Sequence, residues 1–136
     1  MSAVVDLILE GQFDEAATSF MDADPHVGVD ELIAAAYDTP STLFYAFCWF
    51  LLCRQETAER HYMASRLMSA ALNHLPGGYE TGYYHMRRAL SLDPGNLDYQ
   101  KDMLLYHDIP ERLLPDVEAR QIAQSILARE PDHKVA

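Results

Sequence analysis

The first 53 residues of this 136-residue chain contain no lysine and no arginine. Nine acids occupy the same stretch (Asp6, Glu10, Asp14, Glu15, Asp22, Asp24, Asp30, Glu31 and Asp38), whereas the remainder sets all ten basic residues against twelve acids. Such a field repels phosphate backbones, which argues against direct nucleic-acid binding and makes a basic protein or peptide the expected partner. The competing reading is a solvated acidic face that serves solubility. Asp14, Glu15, Asp30 and Glu31 are the candidate contact residues of the acidic half, because they flank its turns.

Long hydrophobic runs are missing too. The longest, Leu43 to Cys53, has 11 residues, against the 18 to 20 or so that a membrane span needs. It reads as a buried helix, and no membrane association is expected. The opening MSAVVDLILE has no basic lead-in and carries Asp6 within its apolar run, so it does not read as a secretion signal, and a cytoplasmic protein is expected. Cysteine is scarce. Cys48 and Cys53 are five residues apart, which on a helix turns them about 140° from one another and prevents a bridge between them. Both read as small core hydrophobes.

Motifs that carry chemistry are equally sparse. Gly77-Gly78 lacks the lysine and the preceding strand of a phosphate loop. None of the six histidines stands in a metal-ligand spacing; Glu59 and His61, the nearest approach to one, fall on different sides of a helix. Serine, histidine and aspartate are present without a nucleophile elbow. No catalytic residue, metal ligand or cofactor is therefore assigned. His74 and His85, on either side of the glycine turn, are the two histidines singled out.

What is present is helical punctuation. No segment alternates with period two, and apolar residues recur at three- and four-residue intervals, so the chain is expected to be all-α. With 49% hydrophobic and 23% charged residues the composition is globular, and residues 1–136 read as one domain. Val4 to Leu9 and Phe13 to Phe20 suggest a first helix pair. A turn is expected over Pro25 to Gly28, followed by a short helix from Asp30 to Tyr37. Thr39 is the expected cap of the next helix, with Pro40 in its first position. The sequence STLFYAFCWFLLC is apolar on every side, so it is expected to be covered all round. No glycine or proline interrupts Ser41 to Leu75. An unbroken helix of that length is far above the usual 11 to 12 or so residues, so a reversal is placed at the polar cluster Arg54 to Thr57. The second helix of this segment is expected to run to Leu75, where Pro76 closes it. Helices from Leu97 to His107 and from Val117 to Arg129 follow, the last packing through Ala119, Ile122, Ala123, Ile126 and Leu127. Pro131 to Ala136 reads as a frayed tail.

The best-defined stretch is GGYETGYYHMRRALSLDPGN, from Gly77 to Asn96. A glycine turn opens it, Tyr79, Gly82, Tyr83, Met86, Ala89 and Leu90 stripe one side of a helix, and Asp93-Pro94-Gly95 ends it, leaving Asn96 to cap the next helix. Gly77, Tyr79, Glu80, Ala89, Leu90 and Pro94 match the spacing of the second half of a tetratricopeptide (TPR) repeat, which this stretch resembles. A weaker echo starts at Gly11-Gln12-Phe13-Asp14-Glu15-Ala16 and passes through Phe20 and Ala23 to Pro25, 66 residues upstream, or about two repeats of ~34 residues. A looser copy spans Ala119 to Pro131. One departure is plain: the family's spacing places Arg66, Ser69 and Asn73 at positions that are normally buried.

The resemblance implies a right-handed α-solenoid of about four stacked antiparallel helix pairs, acting as a protein- or peptide-binding scaffold without catalysis. An immunity- or antitoxin-type inhibitor of a basic toxin or nuclease, a small metal-dependent helical enzyme, and a structural homo-oligomer are the alternatives. Tyr84 is the remaining candidate contact residue, since exposed tyrosines make large, stiff binding surfaces; Tyr79 and Tyr83 read as packing residues.

Overall fold

The computed structural model describes residues 3–22 and 25–132. In order, the chain forms α1 (Ala3–Leu9), α2 (Phe13–Asp22), α3 (Pro25–Asp38), α4 (Thr42–Arg54), α5 (Ala58–Ser69), α6 (Gly78–Leu92), α7 (Leu97–Met103), α8 (Leu105–Asp108) and α9 (Asp116–Arg129). Among the described residues there is no strand, as the missing period-two pattern predicts. Ala23 and Asp24 lie outside the described residues, as do 133–136, and with them most of the expected frayed tail.

The reversal at Arg54 to Thr57 is present. Helix α4 stops at Arg54, and the Thr57 hydroxyl accepts from the Arg60 amide at 3.1 Å to cap α5. The Arg60 guanidinium then donates to the Leu51 and Gln55 carbonyls at 2.9 and 2.7 Å. It thereby satisfies acceptors that the end of a helix leaves open. Helices α4 and α5 pack against each other, so the chain doubles back across this short link.

Helix α4 is central but not enclosed. Phe44, Phe47, Cys48, Leu51 and Leu52 are buried, and the rings of Phe13 and Phe20 from α2 meet Phe47 edge-on at 5.7 and 5.8 Å. Thr42, Ala46, Trp49 and Cys53 are exposed at helical spacing. The expected coverage on all sides is therefore corrected: one stripe of α4 faces solvent, and Cys53, unlike Cys48, is not a core residue. The cap of α4 is Ser41, whose hydroxyl accepts from the Leu43 amide at 3.1 Å, and not Thr39.

Two further expectations are corrected. Pro25 to Gly28 forms the first turn of α3 rather than a link before it, because proline suits a first helical position and Gly28 provides clearance: a Cβ there would stand 3.0 Å from the Phe20 ring. Helix α5 ends at Ser69, six residues early. Beyond it Ala71 and Leu72 are still buried, but in a wide turn closed by the Leu72 amide on the Leu67 carbonyl at 3.0 Å. At the far end, Ala119 and Ile126 of α9 are buried as expected, while Leu127 is exposed.

Helices α5 and α6 share the most extensive contact in the fold. Gly77, at φ +77°, turns the chain into α6, and Gly82 permits close approach: a Cβ at Gly82 would stand 2.1 Å from the Ser69 hydroxyl and 3.3 Å from the Ser65 carbonyl. One hydrophobic cluster spans α1 to α5 and the turn after it; a second joins α6 to α7, α8 and α9 through Met86, Tyr99, Met103, Tyr106 and Ala119. Arg66, Ser69 and Asn73 are half-buried. No helix among the described residues is long and apolar enough to cross a membrane.

Candidate functional site

Tyr84 leads to the most unusual chemistry in the molecule. It is exposed on α6, and its ring meets those of His85 and His61 edge-on at 5.0 and 6.4 Å. Both histidines lie on the apolar sides of their helices and are buried, at 1% exposure for His61 and 0% for His85. A buried imidazole needs partners, and these two provide for each other: their Nδ1 atoms are 2.9 Å apart. The Nε2 of His61 continues outward to the Glu56 carboxylate at 2.6 Å, and the Nε2 of His85 to the Tyr45 hydroxyl at 2.7 Å. Trp49 Nε1 donates to the same hydroxyl at 2.5 Å, and Arg88 donates to Glu56 at 3.0 Å.

With one proton on each ring, the direction of every bond in this chain follows from its two ends. An indole N–H can only donate, and an ionised carboxylate can only accept. Glu56 therefore fixes the proton of neutral His61 on Nε2, which makes its Nδ1 an acceptor. His85 must donate from Nδ1, so its Nε2 accepts from the Tyr45 O–H, and the Tyr45 oxygen accepts from Trp49. One polarity satisfies all five groups with both rings neutral. Burial, then the neighbouring His61, lowers the pKa of His85 to about 4. Hydrogen bonds from His61 and then Arg88 hold the Glu56 carboxyl below its ordinary value, and burial raises the Tyr45 hydroxyl.

The chain of hydrogen bonds runs from the exposed Glu56 to the Tyr45–Trp49 edge. Among the described residues, no group of three or more His, Cys, Asp or Glu side chains is placed to hold a metal ion. His74, the other histidine singled out, is exposed in the turn after α5.

The remaining candidate residues sit elsewhere. Asp14 and Glu15 occupy the exposed first turn of α2. Asp30 and Glu31 are exposed on α3, where Asp30 pairs with Arg66 of α5 at 3.4 Å. The five candidates thus lie on three helices, α2, α3 and α6. Sequence reasoning passed over Glu56, His61 and Tyr45, whose partners are as many as 40 residues away. The available signal was a histidine on a buried stripe, His85 standing three residues after Gly82 and four before Ala89.

Comparison with protein-family models, with curated proteins and with solved structures finds no match to this chain.

Proposed function

We propose that this chain is a cytoplasmic, TPR-like module without catalytic activity that binds a basic protein or peptide through its acidic amino-terminal helices. The observation that carries the reading is the placement of the acids. Asp6, Glu10, Asp14, Glu15, Asp22, Asp30, Glu31 and Asp38 are all exposed, on or beside α1 to α3, and no lysine or arginine precedes Arg54. An excess of exposed acids of this kind steers an oppositely charged partner and raises its association rate.

The repeat character of the reading has its own support. Gly11 and Gly77, the openings of the two best echoes, adopt φ values of +76° and +77°, and each stands just ahead of a helix, α2 and α6. Helices adjacent in sequence pack together through much of the chain, and α3 also touches α5. These are features of stacked helix pairs.

Affinity capture with the chain as bait, run beside a variant carrying Asp14→Lys, Glu15→Lys and Glu31→Lys, tests the proposal. A basic protein retained by the natural chain and lost from the variant supports it. Equal retention by both, or capture of acidic proteins only, refutes it.

A further inference from the structure

A second concave site does not involve the histidine chain. It is an open cavity of about 520 Å³ between α2, α3, the start of α5, the α6–α7 link and α7, a size typical of small-ligand sites, which run from roughly 300 to 1,000 Å³. Phe20, Met21, Val29 and Met63 give it an apolar wall from the amino-terminal side, and Tyr99 closes it from the other.

Glu59 and Asp93, both exposed, bring two carboxylates to its edge. Arg60 also lines the space and keeps its positive charge, but its guanidinium is turned to the Leu51 and Gln55 carbonyls and the Met21 sulfur, leaving two carboxylates against one cation. The carboxylates are felt inside: after burial, Glu59, Asp93 and Asp98 in turn raise the Tyr99 hydroxyl above its ordinary value. The Asp93 carboxylate accepts from the Asn96 side-chain amide at 3.1 Å, and a carboxylate has room for several such bonds. An apolar trough with a negative rim fits a cation carried on an aliphatic stem.

We infer that this cavity receives a lysine or arginine of the basic partner together with the apolar residue next to it. The inference rests on the proposed capture of a basic partner and deepens it: the acidic face on α1 to α3 draws the partner in, and the cavity anchors it. The anchored segment would touch α2, α3, α5 and α7 at once, so it would tie the amino-terminal helices to the rest of the fold.

The test uses the full isotope-labelled chain and, as probe, a short acetylated and amidated peptide that alternates leucine with lysine; a control peptide carries glutamate in place of lysine. Backbone amide resonances are followed during titration. The expected result is a shift of Ala58, Glu59, Met63 and Tyr99 with the lysine peptide and none with the glutamate peptide. The double variant Glu59→Gln, Asp93→Asn, folded by circular dichroism, should bind about tenfold more weakly, the effect of removing two partly exposed ion pairs. A glutamate peptide that binds the cavity would overturn the inference, as would a lysine peptide that shifts only Asp14, Glu15 and their neighbours; the latter leaves the acidic-face reading standing. Cavity binding that persists while charge reversal on α2 and α3 leaves partner capture unchanged would overturn that reading and spare the anchor.

Discussion

His61 and His85 meet Nδ1 to Nδ1 at 2.9 Å inside the α5–α6 interface, each ring completing the hydrogen bonding of the other. Glu56 and Tyr45 close the outer ends of the pair, Arg88 and Trp49 brace those two groups in turn, and the Tyr84 ring meets both imidazoles edge-on. The pair is thus satisfied on both sides inside the interface.

Stability should therefore depend on pH through His85. Its pKa is lowered from 6.5 to about 4 in the folded chain, so the unfolded chain binds the proton first as the solution is acidified. The stabilisation is complete above about pH 6.5, declines as pH falls towards about 4, and is then lost. The total is about 2 kcal/mol once solvent screening is allowed for. Urea unfolding followed between these limits checks it, and His85→Leu should flatten the slope. The same variant should cost about 1 to 3 kcal/mol near neutral pH, because His61 Nδ1 and the Tyr45 hydroxyl lose their partner. An unchanged pH slope in His85→Leu would assign the dependence to other groups.

Trp49, the one tryptophan of the chain, donates its indole N–H to the Tyr45 hydroxyl, which bonds His85. Its fluorescence should change as His85 protonates, before global unfolding, and Tyr45→Phe should uncouple the two. A signal that changes only with unfolding would show that the chain does not transmit protonation to its outer end.

The two cysteines should react very differently. Cys48 is fully buried, and burial pushes its thiol up to about 12, whereas Cys53 is exposed on the solvent stripe of α4. A thiol reagent should modify one site rapidly in the native chain and the second only on unfolding; Cys53→Ser should abolish the rapid phase. Equal rates for both thiols would contradict the orientation of α4.

Gly82→Ala should destabilise the fold by about 1 to 3 kcal/mol, because the added methyl would meet the Ser69 hydroxyl at 2.1 Å and approach the Tyr106 hydroxyl at 3.0 Å. Thermal unfolding measures the loss. A neutral substitution would mean that α5 and α6 are less tightly apposed than described.

How much of this was legible in the sequence depended on whether the signal was local. Four consecutive polar residues, Arg54 to Thr57, marked a reversal because Thr57 is a competent cap and α4 has no polar face with which to continue. Gly77 marked its turn because few other residues accept its backbone angle. Pro25 misled, since the residue that ends one helix can equally start the next. Ala71 and Leu72 misled because a helical spacing of apolar residues persists into an irregular turn that still buries them. The α4 stripe was hidden by composition: Ala46, Trp49 and Cys53 are apolar and yet exposed, so nothing in their chemistry gave the outward side away. The histidine chain was out of reach, because its bonds join residues from three helices and the link before α5, and no spacing within one segment encodes them.

Asp30 requires a separate expectation within the acidic face. Its pairing with Arg66 joins two partly exposed groups, so Asp30→Lys should cost at most about 1 kcal/mol, more than reversal at Asp14 or Glu15, where changes within about 0.5 kcal/mol are usual for a surface position. Chemical denaturation of the three single variants gives the order; a larger loss at Asp14 or Glu15 than at Asp30 would reverse it.

The central claim, that the acidic amino-terminal helices capture a basic partner, is tested most directly by the association rate of the captured partner measured against salt. The rate for the natural chain should fall steeply as the Debye length shrinks from about 10 Å at 0.1 M to about 3 Å at 1 M. The variant Asp14→Lys, Glu15→Lys, Glu31→Lys should associate more slowly at low salt and converge with the natural chain at high salt. Association equally fast for both proteins and indifferent to salt would contradict the claim and leave these carboxylates as a solvated surface.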